Sequence, residues 1–385
     1  MNKASFKYIG EIDGEKISTD MLNIKSSFKL EELDSLGKLF LLVCLAGYKK
    51  KENILVYGED ISELIDLVKF GNLNLNFERA APKKFDLSIK FEGGRKKFEN
   101  IELNNDKKIL VLLSGGIDSV AGLLYSKDNF SNVSSFWLNF GQKNSSGELK
   151  SIEKIIKKTN CHFEHIDIGL KNYVDSGWNE WKFGIVPARN MLILSMLGQY
   201  ISRLKEKNID IFLCASKDEI VESHNDTSPA FYKTASKLMS LFYGKNINVT
   251  TPFKNINKAE ILKYWKDNWK DKYSISFMDT MTCFLGSNCG ECSACVYRKI
   301  NSLVIDDEDM NFVKNPMYDA SRIIRDYYLP NFSGWSHERK ADFLIALGKS
   351  KKIIPTEVLY FYNKNYSLYS EEIKKREKSL ENVNL

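Results

Sequence analysis

Two stretches of this chain place chemistry-bearing residue types at a telling spacing. The first is Leu112-Leu113-Ser114-Gly115-Gly116-Ile117-Asp118-Ser119. It closes an apolar run, Ile109 to Leu113, that reads as a strand, and it opens a run with helical spacing, Ser119 to Tyr125. Two adjacent glycines let the backbone approach an anion closely. The helix start beyond them offers N–H groups and the positive end of a dipole. The expected chemistry is phosphate binding. The spacing is neither that of a Walker A loop nor Gly-x-Gly-x-x-Gly, so those two nucleotide loops are excluded. The plain alternative is an ordinary strand-to-helix turn capped by Asp118.

The second stretch is Cys283-x5-Cys289-Gly-Glu-Cys292-Ser-Ala-Cys295, which holds four of the seven cysteines. Three thiols at two-residue separations on a glycine-containing knuckle, with a fourth one short loop earlier, suit a tetrahedral zinc centre. Its positions are all filled by protein, so the metal is expected to be structural. A redox Cys-x-x-Cys pair and an iron–sulfur cluster draw on the same residues, and ligand spacing alone leaves them open. The remaining cysteines, Cys44, Cys161 and Cys214, stand apart in apolar stretches and read as buried small hydrophobes.

The elements that must position these residues follow from the apolar pattern. Ile109 to Leu113, Ser134 to Leu138, Phe163 to Ile168, Ile209 to Cys214 and Ile247 to Thr251 read as buried strands. Helical stretches alternate with them: Ser119 to Tyr125, Leu149 to Lys158, Arg189 to Leu204, Pro229 to Tyr243 and Lys258 to Asp267. Such alternation predicts an α/β fold, a Rossmann-like parallel sheet with helices on both faces and functional loops at the carboxyl ends of its strands. Residues 1–105 read as an N-terminal α+β accessory domain, with a polar joint near Asn104 to Asp106. In that domain Phe85, Leu87, Ile89 and Phe91 alternate with polar residues. Gly93-Gly94 followed by Phe98, Ile101 and Leu103 predicts a hairpin. Leu30 to Leu45 has helical spacing, although Leu39 to Val43 suits a strand equally. Residues 306–385 read as a helical C-terminal extension whose charged end, Glu371 to Leu385, is expected to fray.

Composition narrows the class. Across 385 residues the chain is 43% hydrophobic and 28% charged, which excludes collagen-like, disordered and disulfide-scaffold classes. The net charge of +6, from 56 basic and 50 acidic residues, is spread without a basic block, so nucleic acid is not expected as a direct substrate. No apolar run approaches the ~20 residues that cross a bilayer, and Met1 to Gly10 lacks the pattern of a secretion signal. A cytoplasmic protein without a membrane partner is expected. The oligomeric state is left open.

Ser114-Gly115-Gly116-Ile117-Asp118-Ser119 resembles the pyrophosphatase loop of ATP-dependent adenylating enzymes, which hold the leaving pyrophosphate there. The loop followed by a cysteine knuckle ending Cys-Gly-x-Cys-x-x-Cys-x-x-Arg, completed by Arg298, is similar to the QueC family of 7-cyano-7-deazaguanine synthases. Phe140-Gly141-Gln142-Lys143, Val186-Pro187-Ala188-Arg189-Asn190, Thr251-Pro252-Phe253 and Asn257-Lys258-Ala259-Glu260-Ile261 are similar to further segments of that family. The resemblance covers residues 109–303, about half the chain, within a domain read as residues 106–305. It implies ATP with its Mg2+ as cosubstrate, a structural Zn2+ on Cys283, Cys289, Cys292 and Cys295, and a 7-carboxy-7-deazaguanine-like substrate. By the same resemblance Ser114, Gly115, Gly116, Ile117, Asp118 and Ser119 bind nucleotide with Arg189 and Asn190. Ser114, Asp118, Ser119, Arg189 and Lys258 serve catalysis, and Gln142 and Asp226 bind substrate.

This chain also departs from the family. Where the family reads Asp-Tyr-Ser-Gly-Tyr-Pro-Asp-Cys-Arg, the segment from Asp218 to Ser228 is longer, and Thr227 and Ser228 stand in place of the Cys and Arg. Asp226 aligns with the carboxylate that would accept from a guanine-like edge, yet it suits equally an N-cap for the helix at Pro229. The long flanks resemble QueC-like proteins of antiphage systems, such as the QatC component of Qat and the QueC-like component of type IV CBASS. In those relatives the acyl adenylate is passed to an amine of a partner protein. The expectation is therefore an ATP-dependent carbon–nitrogen ligase acting on such a partner. The alternatives are a synthase of free 7-cyano-7-deazaguanine, an RNA-modifying relative, and an inactive nucleotide-binding scaffold.

Overall fold

The apolar run ahead of the glycine turn becomes the middle strand of a sheet. The computed structural model describes residues 2–3, 8–49, 51–73, 87–97, 107–142, 144–170, 188–220, 226–284, 287–307, 312–381 and 383–385. Its strands are β1 (Asn2–Lys3), β2 (Tyr8–Ile12), β3 (Glu15–Ser18), β4 (Lys25–Ser26), β5 (Asn53–Tyr57), β6 (Ser88–Glu92), β7 (Lys107–Leu112), β8 (Val133–Asn139), β9 (His162–Asp167), β10 (Asn208–Phe212) and β11 (Asn246–Thr250). The main sheet runs β1-β4-β9-β8-β7-β10-β11. From β9 to β11 every pairing is parallel, with Ile109 opposite Val133 and Asp210 opposite Ile109. The two short strands at the β9 edge run antiparallel.

Five successive residues of β7 are buried, as expected for a parallel strand covered on both faces. Leu110 and Leu112 point into one core, Ile109, Val111 and Leu113 into the other. The helices that cover the faces are α1 (Ser35–Lys49), α2 (Ile117–Asn129), α3 (Ser145–Thr159), α4 (Arg189–Ile201), α5 (Pro229–Tyr243), α6 (Lys258–Tyr264), α7 (Ser293–Val304), α8 (His337–Lys349), α9 (Thr356–Tyr366) and α10 (Ser370–Ser379). The first core takes α1, α4 and α5; the second takes α2, α3, α6, α7 and the C-terminal helices. Strands step outward from β7 to β8 and β9, and the chain then returns to β10 on β7's other side. That reversal opens a crevice at the carboxyl ends of β7 and β10, where ligands of open α/β sheets bind.

Several expectations about the flanks change. β6 does not form a hairpin among the described residues; it lies parallel to β5, in the sheet β3-β2-β5-β6. Phe85, Phe98, Ile101, Leu103 and the joint at 104–106 lie outside the described residues. Residues 2–3 and 25–26 enter the main sheet through β1 and β4. The ambiguous run around Leu39 is helical. It has no polar face because α1 is buried along Ser35 to Tyr48, between the smaller sheet and α4. The charged end does not fray at Glu371: it forms α10, which buries Ile373 and Arg376.

Candidate active site

The glycine turn follows β7 directly and opens α2. Gly116 holds the N-cap position, so no side chain caps the helix and Asp118 is not a cap but a first-turn residue. The first-turn N–H groups of α2 are thus left without a side-chain cap, the arrangement that suits an anion. Gly115 has φ +72, and a Cβ there would stand 3.0 Å from the Glu148 carbonyl oxygen. Its own carbonyl accepts from Met281 N at 2.7 Å and Ser151 Oγ at 3.2 Å, which pins the turn to α3 and to the approach of the cysteine knuckle. Ser119 Oγ accepts from Ser114 N at 3.1 Å and donates to the Gly116 carbonyl at 3.0 Å. Ile117 is core and takes part only through its backbone.

A cleft of about 310 Å³ lies above this turn, lined by Ser114, Gly116, Asp118 and Ser119 from β7 and α2, and by Gln142, Arg189, Asn190, Glu219 and Thr227 from other loops. Lys258, the first residue of α6, reaches in from the side. Its Nζ lies 2.8 Å from Asp118 Oδ2 and 3.1 Å from Glu219 Oε1. Burial pushes the Asp118 carboxyl up to about 6, Glu219 adds to this, and Lys258 opposes it. Burial pulls the Lys258 ammonium toward losing its proton, but Asp118 and Glu219 outweigh this and hold it above the ordinary lysine value. Asp118 Oδ1 is buried without a hydrogen-bond partner, so it is free to accept from or ligate an incoming group. With both acids ionised, the trio Asp118, Glu219 and Lys258 sums to one net negative charge.

Arg189 opens α4 and keeps nearly half of its side chain exposed to the cleft. Its Nη2 stands 3.8 Å from Asp226 Oδ2, too far for a hydrogen bond, and that buried oxygen has no other partner. Asn190 Nδ2 donates to the Asp226 carbonyl at 2.9 Å, bracing the loop that carries the acid. The cap of α5 is Ser228, whose Oγ accepts from Phe231 N at 3.1 Å, so Asp226 is not used as a cap. Gln142 lines the cleft, but its amide is spent: Oε1 accepts from Phe140 N and Nε2 donates to Glu148 Oε2 at 2.7 Å. Glu148 also accepts from Trp137 and Asn144, while burial pushes its carboxyl upward. Lys143, Val186 and Pro187 and residues 221–225 lie outside the described residues.

Glu148, Glu219, Asp218 and Tyr297 were not picked out by spacing. Asp218 Oδ2 accepts from Lys258 N at 3.1 Å and from the Tyr297 hydroxyl at 3.1 Å, and the Lys258 ammonium sits 4.9 Å from the Tyr297 ring centre. The available signal was place: Asp218 and Glu219 follow the carboxyl end of β10, and Tyr297 sits two residues after Cys295.

The four cysteines converge. Their sulfurs lie within 4.8 Å of one another, with Cys292 to Cys295 at 3.5 Å, Cys289 to Cys295 at 3.9 Å and Cys283 to Cys292 at 4.0 Å. A disulfide needs about 2.0 Å. Four thiolates at about 2.3 Å from one tetrahedral zinc stand about 3.8 Å apart, so the donor set fits zinc. Sulfurs this close enclose one ion and leave no room for the several iron and sulfide atoms of a cluster. Gly290 makes the knuckle with φ +82, where a Cβ would fall 1.9 Å from the Lys314 carbonyl oxygen. Buried Arg298 donates to the carbonyls of Phe277 and Thr280, tying the knuckle to the segment that carries Met281.

A match to the family described as queuosine biosynthesis protein QueC covers residues 108–302. The 7-cyano-7-deazaguanine synthase of Staphylococcus haemolyticus (strain JCSC1435) is 28% identical over 220 residues, which is 52% of this chain and 93% of that relative.

Proposed function

This chain belongs to the QueC family, and from that premise we propose that it uses ATP to adenylate the carboxylate of a 7-deazaguanine and passes the acyl group to an amine. One observation carries the reading. An uncapped, glycine-opened helix start at the carboxyl end of β7 borders a cleft lined by Asp118, Arg189 and Glu219, with Lys258 paired to Asp118 and Glu219 behind that lining and Asp226 beside Arg189.

The substrate carboxylate oxygen attacks the α-phosphorus, the bond to the bridging oxygen breaks, and pyrophosphate leaves. The first-turn amides of α2 with Ser114 and Ser119 take up the charge growing on that leaving group, which is preorganised electrostatic catalysis. Arg189 and Lys258 offset the repulsion between the carboxylate and the α-phosphate. An amine nitrogen then attacks the acyl carbon, loses a proton and expels AMP. Asp226 accepts from the paired N–H donors of the base, with Arg189 beside it as counter-charge. The Asp118 carboxylate, within the net-negative trio, would hold the Mg2+ that accompanies ATP, which would supply neutralisation of phosphate charge. Cys283, Cys289, Cys292 and Cys295 would hold a structural zinc, which would steady the segment whose Met281 N–H donates to the Gly115 carbonyl.

The acceptor amine belongs, in this proposal, to a partner protein in an antiphage defence system. Supporting this finer reading is the large share of the chain that lies outside the relative's span and is folded around the sheet. Incubation with ATP and 7-carboxy-7-deazaguanine will release pyrophosphate and AMP. Absence of release with ammonia supplied as the amine defeats the proposal. Coverage of 93% of the synthase from Staphylococcus haemolyticus favours a second reading, formation of the free nitrile. Mass spectrometry separates a small nitrile from a mass-shifted partner chain.

A further inference from the structure

The reaction outlined above leaves unused a buried cation in the last helix. Arg376 on α10 has a side chain only 3% exposed. Its Nη1 donates to Glu260 Oε1 at 2.7 Å and its Nη2 to Asn257 Oδ1 at 2.5 Å. Its Nε and Nη2 also pair with the two oxygens of Asp342 on α8, at 2.7 and 3.2 Å. Asn257 and Glu260 are the two halves of the reciprocal cap that starts α6. Lys258 stands between them.

The cap is complete without help: Asn257 Oδ1 accepts from Glu260 N at 3.0 Å, and Glu260 Oε2 accepts from Asn257 N at 2.9 Å. Arginine adds a planar fork that reaches both cap residues at once and is itself held from behind by Asp342. A buried ion pair of this kind gains little stability over a well-packed apolar group, because desolvation offsets the attraction. What it adds is geometry. On the opposite side, Asp218 holds the Lys258 backbone N–H and Tyr297 lies against its ammonium.

We infer that Arg376 is a positioning residue for Lys258: by gripping Asn257 and Glu260 from α10, it fixes the start of α6 so that the ammonium stays between Asp118 and Glu219. The consequence for rate rests on the adenylation reading, whereas the consequence for Lys258 itself does not. The C-terminal helices are in this sense part of the catalytic centre.

Three full-length variants test the inference. Arg376→Lys keeps the charge and loses the fork. The double variant Arg376→Gln with Asp342→Asn removes both charges of the buried pair, so that neither stays unpaired if the single variant fails to fold. Lys374→Ala, on the exposed face of the same helix beside Glu371, is the control. The readouts are pyrophosphate release with ATP and 7-carboxy-7-deazaguanine, thermal midpoint, and acetylation of individual lysines mapped by mass spectrometry. In the folded double variant kcat falls about tenfold to a hundredfold with the KM for ATP within about twofold, the signature of a misplaced group. Arg376→Lys falls between, and Lys374→Ala matches wild type. Lys258, 5% exposed in the wild type, becomes several-fold more reactive, while the similarly buried Lys108 does not. Unchanged Lys258 labelling in a folded double variant overturns the inference, as does unchanged kcat in a protein whose wild type is active. A wild type that releases no pyrophosphate removes the adenylation reading alone, and the labelling still decides the clamp.

Discussion

Replacing Lys258 by Met keeps most of the side-chain stem and deletes the ammonium that lies 2.8 Å from Asp118 Oδ2. At an effective dielectric of 20, a unit pair at that separation attracts by about 6 kcal/mol. Asp118 retains 20% of its side-chain exposure, so solvent screening reduces this, and half of it, about 3 kcal/mol, is a fair working value. That corresponds to a displacement of about two pH units in the ionisation of Asp118. The direction is fixed by charge: losing a cation disfavours the carboxylate, and Glu219 nearby adds to the effect. In the wild type, pyrophosphate release is expected to fall as pH drops through about 6, where Asp118 takes up its proton. In Lys258→Met that acid limb moves alkaline by about two pH units, so that at neutral pH most molecules carry Asp118 protonated. The assay is kcat/KM for ATP, from pyrophosphate release at ATP well below its KM across pH 5 to 9 with protein of verified fold, because that ratio reports ionisation in the free protein. A uniformly slower variant whose acid limb stays where the wild type has it refutes the pairing as the source of the pH dependence.

Other outcomes follow from the same geometry. Gly115→Ala places a side chain at φ +72, a cost of about 1 to 2 kcal/mol, and pushes toward the Glu148 carbonyl; the KM for ATP should rise at least tenfold with zinc content unchanged, and an unchanged KM counts against the turn as the phosphate seat. Asp226→Asn should raise the KM for the deazaguanine acid at least tenfold and leave that for ATP alone. Ser228→Ala, which removes only the α5 cap, should cost about 1 kcal/mol in thermal stability without touching either KM; the reverse pattern would return Asp226 to a structural role. Cys292→Ser should abolish binding of one zinc per chain, measured by elemental analysis, and lower the thermal midpoint sharply, since closing such a knuckle contributes on the order of 10 kcal/mol. A metal-free chain with an unchanged midpoint would show that the knuckle does not depend on its ion.

The parts of this molecule legible in the sequence are those whose physics is local. A Ser-Gly-Gly turn between an apolar run and a helix needs only its neighbours to declare it, and four thiols within one knuckle declare a shared site the same way, though not which group occupies it. Among the parallel strands β7 stood out because a strand covered on both faces is apolar throughout, whereas β9 and β11 are partly exposed and mix polar residues into the run. The same property hid α1: buried all round, it offered no polar stripe to set its period. β6 was read with a hairpin partner because Gly93-Gly94 follows it, whereas its partner is parallel β5, whose residues precede it by more than thirty positions. Asp226 and Ser228 both suit a helix cap by type, and only the hydrogen bond from Phe231 N decides between them. Glu148, Glu219, Tyr297 and Arg376 come from different elements and meet through the fold, so no spacing in the chain announces them.

Among the described residues two cations, Arg189 and Lys258, stand at or beside the cleft, and each is braced by a different flank. Arg189 opens α4, which packs against α1 of the N-terminal segment on one face of the sheet. Lys258 opens α6, whose cap is gripped from α10 on the other face. The glycine turn between them is held by the core itself, through Ser151 and Met281. On the adenylation reading, a cation displaced by about an ångström loses its effect on a transition state, so the two flanks would carry a catalytic burden even though neither contributes a residue to the glycine turn. They do so through rigid helix starts, so a substitution far from the cleft on either face acts first on the position of one cation. Combining Arg376→Gln and Asp342→Asn with a substitution that loosens α1 against α4 should therefore lower kcat multiplicatively, since the two braces share no residue.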